Sequence, residues 1–294
     1  DVLGYRLYFD LKRGWRLMNP NLEQIGLLGI RYQGIDECAA DEESWAATHP
    51  LLASATPATR KEICRTLLDT MRRGLCIKTI YLDNQHQEQI RNRSFADLRE
   101  PWGLAPDERM FCSAVMVPTS SPARLRDRVP TVYVSLRSRF GKFLKLRSSW
   151  GENRCEWPKK FDETVYTEIM SGLLRTMTNH GLVQNIELDG RIGYQVDSGI
   201  IEWTIGDPAT VSEATATKTN VFFRTLYQNV ASALTGKHQT LHQLRAAEHT
   251  AQVDAEARQK RETAFREAEL PLLFCSPTME LGVDISSLNT VYLR

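Results

Sequence analysis

The sequence predicts a chain of mixed class, α/β and α+β, and three stretches predict it. Toward the carboxyl end, a strand-like run over residues 244–252, a charged helical stretch from Asp254 to Glu267 and a wholly apolar run, Leu272-Leu273-Phe274-Cys275, follow one another as in a parallel-sheet segment. In the middle, apolar residues at helical spacing from Asp162 to His180 run into two short strands around Asp189-Gly190, an α+β order with a hairpin. Near the front, an amphipathic stretch from Thr59 to Arg73 gives way at Gly74 to an apolar run over residues 75–82, which marks a mixed α/β region.

Composition sets the limits. The 294 residues suit two or three domains, and 42% hydrophobic with 25% charged residues is the balance of a soluble globular protein. A formal charge of +1 points to no polyanion partner by itself, so the distribution of charge has to carry any such argument. Six cysteines, Cys38, Cys64, Cys76, Cys112, Cys155 and Cys275, include no C-x-x-C pair, which argues against a zinc site and a disulfide framework and fits a reducing cytoplasm. No apolar run approaches the length needed to cross a bilayer, so no membrane partner is expected.

In chain order, residues 1–117 read as a mixed α/β accessory region. Tyr5 to Trp15 reads as extended, Asn21 to Leu28 as a short helix or turn, and Pro57 marks the start of a helix whose apolar face is Ile63, Leu67, Leu68 and Met71. Pro118-Thr119-Ser120-Ser121-Pro122 is the first expected boundary, and residues 206–219, rich in Ala and Thr, the second. Asp36-Glu37-Cys38-Ala39 imitates a Mg-binding acidic box, but no phosphate-cradling Gly-x-x-x-x-Gly-Lys-Ser/Thr loop accompanies it.

Between the boundaries, residues 123–206 open with a basic stretch. From Arg124 to Lys160 the cations, Arg137, Arg139 and Lys142 among them, outnumber the acids Asp127, Glu152 and Glu156, and Tyr133, Phe140, Phe143, Trp150 and Trp157 are interleaved. Cations on phosphates with aromatics stacked on bases is how unpaired strands are gripped without reading sequence. The alternative is a pair of half-exposed strands, Val132 to Leu136 and the run around Lys142 and Lys145, with cations on the wet face. Next come the helix that Asp162 can cap and Gly181 can close, and the hairpin. "HGLV" between a helix and a hairpin resembles the last helix and wing of a winged-helix domain, which implies groove and backbone contacts from Arg175 and Arg191. For both arginines a solvated surface position is the alternative.

Residues 219–294 carry the most specific signal. Phe223, Leu226, Tyr227, Val230 and Leu234 have helical spacing, Asp254 is the expected cap of the next helix, and Glu262 and Arg266 stand as an i, i+4 pair on its wet face. The apolar strand then breaks into Ser276-Pro277-Thr278-Met279-Glu280-Leu281-Gly282-Val283-Asp284-Ile285. A hydroxyl is a compact donor to phosphate oxygen, glycine lets a backbone approach a ligand, and a carboxylate accepts from ribose hydroxyls.

"SPTMELGVDI", with the strand Asn289 to Leu293 after it, resembles motif V of superfamily 2 helicases, the DEAD/DEAH-like motors that couple ATP hydrolysis to movement on nucleic acid. The resemblance implies a first part of a second RecA-like domain over 219–294, nucleic-acid contacts from Ser276 and Thr278, and nucleotide contacts from Gly282 and Asp284. It also implies that His249 and Thr250 lie near the nucleic-acid backbone, although the commoner pattern has Gly where Thr250 stands. ATP and Mg²⁺ are the implied cofactors, with sites mostly outside this chain. DNA, a first RecA-like domain and, from a similarity of the middle region to DISARM-type helicases of repair and phage defence, a defence-complex subunit are the implied partners. The chain starts without Met and stops within a motif-bearing region, so it is expected to be part of a larger motor and inactive as an ATPase alone. The other expectation is a non-catalytic nucleic-acid or protein-binding module derived from a helicase.

Overall fold

The computed structural model describes residues 1–13, 20–99, 102–119, 129–153, 155–188, 191–206, 221–235, 246–250, 253–267, 269–270 and 272–275. It divides into two compact units, Asp1–Asn220 and Val221–Arg294. Among the described residues no helix is long and apolar enough to cross a membrane.

The first unit begins with α1 (Val2–Arg13), where an extended segment was expected from Tyr5. Aromatic side chains favour strands, but Tyr5, Tyr8 and Leu11 repeat every three residues, and a helix buries all three on one face. Tyr8 meets the edge of Trp203 with ring centroids 5.5 Å apart, and Phe9 stacks on Phe111 at the same separation. The Asn21–Leu28 stretch is a turn, held by the Gln24 amide on Asn21 Oδ1 at 2.8 Å, that leads into β1 (Leu28–Tyr32).

Three short helices, α2 (Ile35–Ala40), α3 (Glu42–Ala46) and α4 (Pro50–Ala53), precede the expected long one, α5 (Pro57–Arg73). Thr56 caps α5 by accepting from the Thr59 amide, Pro57 takes its first turn, and Ile63, Cys64, Leu67, Leu68 and Met71 are buried. Its two buried arginines are paired on both faces of their forks. Arg60 meets the Glu42 carboxylate and the Leu52 carbonyl, and Arg72 meets Glu23, Asp69 and the Tyr32 hydroxyl.

Only Ile77 and Lys78 of the apolar run over 75–82 pair as a strand, β2 (Ile77–Lys78), because residues 80–82 close a 3₁₀ turn ahead of α6 (Asn84–Asp97). There follow β3 (Val115–Val117), β4 (Thr131–Tyr133), α7 (Arg139–Lys145), α8 (Glu163–Asn179), β5 (Gln184–Leu188), β6 (Arg191–Asp197) and β7 (Ile201–Ile205). The helix and hairpin expected between Asp162 and Val196 are thus α8, β5 and β6. Gly181, at φ 70°, ends α8 in the left-handed conformation that glycine adopts without strain.

The main sheet runs β2-β6-β3-β4, with β5 also on β6, and mixes parallel with antiparallel neighbours. A second, two-stranded sheet pairs β1 with β7 antiparallel, Leu28 opposite Ile205. β3 and β4 flank the Pro118–Pro122 stretch and pair with each other, β2 pairs with β6, and β1 with β7, so segments 1–117 and 123–206 build one unit together.

The second unit contains α9 (Val221–Leu234), β8 (Ala246–His249), α10 (Ala255–Arg266) and β9 (Leu272–Cys275). β8 and β9 are parallel, with α10 as the crossover between them. Asp254 caps α10 as expected, accepting from the Ala257 amide at 2.9 Å.

Candidate nucleic-acid interface

Within the basic stretch Thr131–Tyr133 pairs as the strand β4, overlapping the strand expected over 132–136, whereas the run around Lys142 and Lys145 folds as the helix α7 where its alternation suggested a strand. Ser138 caps α7 by accepting from the Gly141 amide at 3.1 Å while its hydroxyl donates to the Ser135 carbonyl at 2.6 Å. Phe140 and Leu144, four residues apart, are buried together. A Cβ on Gly141 would run into the Ser135 carbonyl, so only glycine lets the helix sit this close to its own lead-in.

With Phe140, Gly141 and Leu144 turned inward, Arg139, Lys142 and Lys145 share the outer face, Arg137 precedes it and Arg147 follows it, all exposed. No acid occurs between Arg137 and Gly151. Among the described residues no group bonds or pairs with the five cationic side chains. The site residues Arg137, Arg139 and Lys142 are therefore brought together, with Lys145 and Arg147 beside them. Their common signal in the sequence is the acid-free run.

The interleaved aromatics have a different role from the one expected. Phe140 and Trp150 are buried, and Trp150 donates its indole N–H to the Leu144 carbonyl at 2.8 Å. Phe143 stacks on Phe140, and partly buried Trp157 packs between Trp150 and Phe161. They form the floor under the helix, so Phe140 and Trp150 are withdrawn from base stacking.

Helix α8 presents Thr164, Thr167, Glu168, Ser171 and Arg175 outward, but much of that edge is tied to the α3–α4 corner. Arg175 donates to the Ala47 carbonyl at 2.6 Å, and His180 Nε2 lies 3.0 Å from Asp41 Oδ2. Between them Gly172 rests against Thr48, and His49 Nε2 approaches Glu168 to 3.9 Å. Bonds from the Ser44 hydroxyl and amide hold the Asp41 carboxyl below the usual range, while burial pushes the His49 imidazole below its own. Arg175, expected at a groove, is thus bonded within the protein. Arg191 is half-buried at the start of β6, opposite Leu188.

In the second unit His249, 8% exposed, ends β8 with Nε2 2.6 Å from Glu262 Oε1. Glu262 therefore faces the strand rather than pairing with Arg266 on the wet face as expected, because the helix returns across β8. Thr250 follows, its hydroxyl shielded from solvent and without a bonding partner among the described residues. His249 is in register with Cys275, whose thiol is pushed up by burial and by the Glu262 carboxylate. Ser276, Thr278, Gly282 and Asp284 lie outside the described residues. β9 itself is not buried on both faces as its apolar run suggested: Leu272 is 49% and Phe274 60% exposed, with β8 its one pairing neighbour among the described residues. Among the described residues no cluster of three His, Cys, Asp or Glu could hold a metal ion.

Comparison of the chain with protein-family models, with curated proteins and with solved structures finds no match.

Proposed function

We propose that the chain is part of an ATP-dependent DNA helicase or translocase that couples ATP hydrolysis to nucleic-acid binding and remodelling, in DNA repair or phage defence. In this reading the second unit is the first part of a RecA-like domain, and α8 with β5 and β6 is a winged-helix-like element. Ser276 and Thr278 bind the nucleic-acid backbone, with His249 and Thr250 beside them, and Gly282 and Asp284 face the nucleotide. ATP would supply the transferred phosphoryl group and Mg²⁺ would offset its charge, at sites completed outside these residues.

One observation carries the reading: the motif-like run from Ser276 to Ile285 begins directly after β9, whose parallel neighbour β8 ends at His249. In open parallel sheets, ligands gather at the carboxyl ends of strands, and both strands end at this edge. The free cations of α7 add a second surface suited to phosphates, at Arg137, Arg139 and Lys142. A non-catalytic nucleic-acid- or protein-binding module derived from a helicase is the second reading, which the exposed cations of α7 suit equally.

The test is the ATPase rate of the protein that contains this chain, with and without DNA. Asp284→Ala is expected to lower turnover under both conditions, and Ser276→Ala chiefly to remove the stimulation by DNA. Rates unaffected by DNA and unaltered in both variants would discard the motor reading.

A further inference from the structure

We propose that Leu146 is an apolar contact for the exposed bases of a nucleic-acid strand, seated by the cations around it. The inference rests on the reading of α7 as a nucleic-acid surface and adds how that surface touches bases once Phe140 and Trp150 are excluded.

Leu146 is 57% exposed, directly between Lys145 and Arg147 and one helical turn beyond Lys142. A single exposed leucine needs no explanation by itself. What distinguishes this one is its mounting. Its amide donates to the Phe143 carbonyl at 3.1 Å, and its own carbonyl accepts from the Ser149 amide at 3.0 Å. The turn that follows is anchored by buried Trp150, bonded back to Leu144. The side chain therefore stands on a corner held from both sides, and little further ordering is required when it is covered.

An apolar tip framed by unpaired cations complements a ligand whose surface alternates anionic groups with flat apolar ones. A nucleic-acid strand has that pattern, and apolar wedges flanked by Lys and Arg are a known way of engaging base steps. An anionic lipid surface also attracts cations, but it rewards a broad apolar helix face. Here Phe140, Gly141 and Leu144 point into the core, Phe143 is partly buried, and Leu146 is the one exposed apolar side chain between Arg137 and Trp150. The geometry therefore favours the nucleic acid.

The experiment measures fluorescence anisotropy of a labelled single-stranded oligonucleotide and of an abasic strand of equal length, which keeps the phosphates and lacks the bases. Leu146→Ala and Leu146→Gln are expected to weaken binding to the base-bearing strand by about fivefold with the salt slope unchanged, and to leave the abasic strand unaffected. The double variant Lys145→Gln, Arg147→Gln is expected to weaken both strands and to lower the salt slope by about 1.4. Loss in the double variant with no effect of either Leu146 change overturns the base contact and leaves the basic surface standing. No effect of the double variant on either strand removes the nucleic-acid reading of α7 and the inference with it. Leu146-dependent binding to phosphatidylserine-containing vesicles, with no effect on either strand, replaces the nucleic acid by a membrane. Thermal melting of each variant is expected to match the parent chain, since the side chain is exposed.

Discussion

Helices α7 and α8 lie in the same unit, and both attract attention in the sequence for their arginines, yet they use charge in opposite ways. On α7 the cations Arg139, Lys142 and Lys145 share an outer face with no described partner, over a floor of buried aromatics. On α8 the outward Arg175 already satisfies the Ala47 carbonyl, and His180 and Asp41 meet at the end of the helix. The difference lies in what each helix has across from it. The α3–α4 corner offers α8 a carbonyl and a carboxylate, while among the described residues no acceptor bonds the cationic side chains of α7. Identical side chains thus serve cohesion in one place and remain available to an external polyanion in the other. Local charge in the sequence does not separate these outcomes.

The largest expected effect lies on α7. Replacing Arg139, Lys142 and Lys145 together by Gln takes away three of the cations proposed to meet phosphates. If each is worth roughly fivefold at about 0.15 M salt, the triple variant binds duplex DNA about a hundredfold more weakly, with its salt slope reduced by about 2.7. Stability is expected to stay within about 0.5 kcal/mol, because these are exposed positions without partners. Anisotropy titrations across a salt series, paired with denaturant melts, check both halves. A large loss of stability with unchanged binding would reverse the contrast between the two helices.

Some of this was legible in the sequence. α5 announces itself through Pro57, apolar spacing and Gly74, α8 through the cap residue Asp162, apolar spacing and Gly181, and the hairpin through Asp189-Gly190, all signals within a few residues of one another. α1 and α7 were misread because aromatic and alternating residues imitate strands in short windows, and the deciding terms are tertiary. For α1 these are contacts of Tyr8 with Trp203 and of Phe9 with Phe111, and for α7 the packing of Gly141 against Ser135. Of the candidate site, the cations Arg137, Arg139 and Lys142 could be named in advance, since no acid lies between Arg137 and Gly151. Their freedom could not, and neither could the engagement of Arg175 with a carbonyl 128 positions away. The His249–Glu262 pair was hidden for the same reason, because it exists only once α10 has folded back over β8.

The second effect, on α8, is expected in stability rather than binding. Arg175→Ala removes one charge-assisted bond at the surface and is expected to cost about 1 kcal/mol, read as a lower midpoint in urea at unchanged slope. DNA affinity is expected to stay within about twofold of the parent chain, as nothing is taken from a free phosphate-facing group. A variant of full stability that loses DNA affinity would make Arg175 a groove contact and α8 the equal of α7.

The smallest effect distinguishes the two helices by pH. Burial lowers the imidazole of His49, partly offset by Glu168, and its Nδ1 accepts from the Leu51 amide at 3.2 Å, a bond that requires the ring to be unprotonated there. With the folded value below the unfolded one, the unfolded chain binds the extra proton first. Stability is therefore full above about pH 6.5, the ordinary imidazole value, and falls as pH drops below it toward the folded value. Melting temperatures taken from pH 8 to pH 5 are expected to decline on the acid side. His49→Asn, which keeps an acceptor for the Leu51 amide, should flatten that decline. The α7 triple variant should not, because Arg139, Lys142 and Lys145 keep their charge across the whole range. A slope that persists in His49→Asn would move the titration elsewhere and leave the α3–α4 corner, with its hold on α8, indifferent to pH.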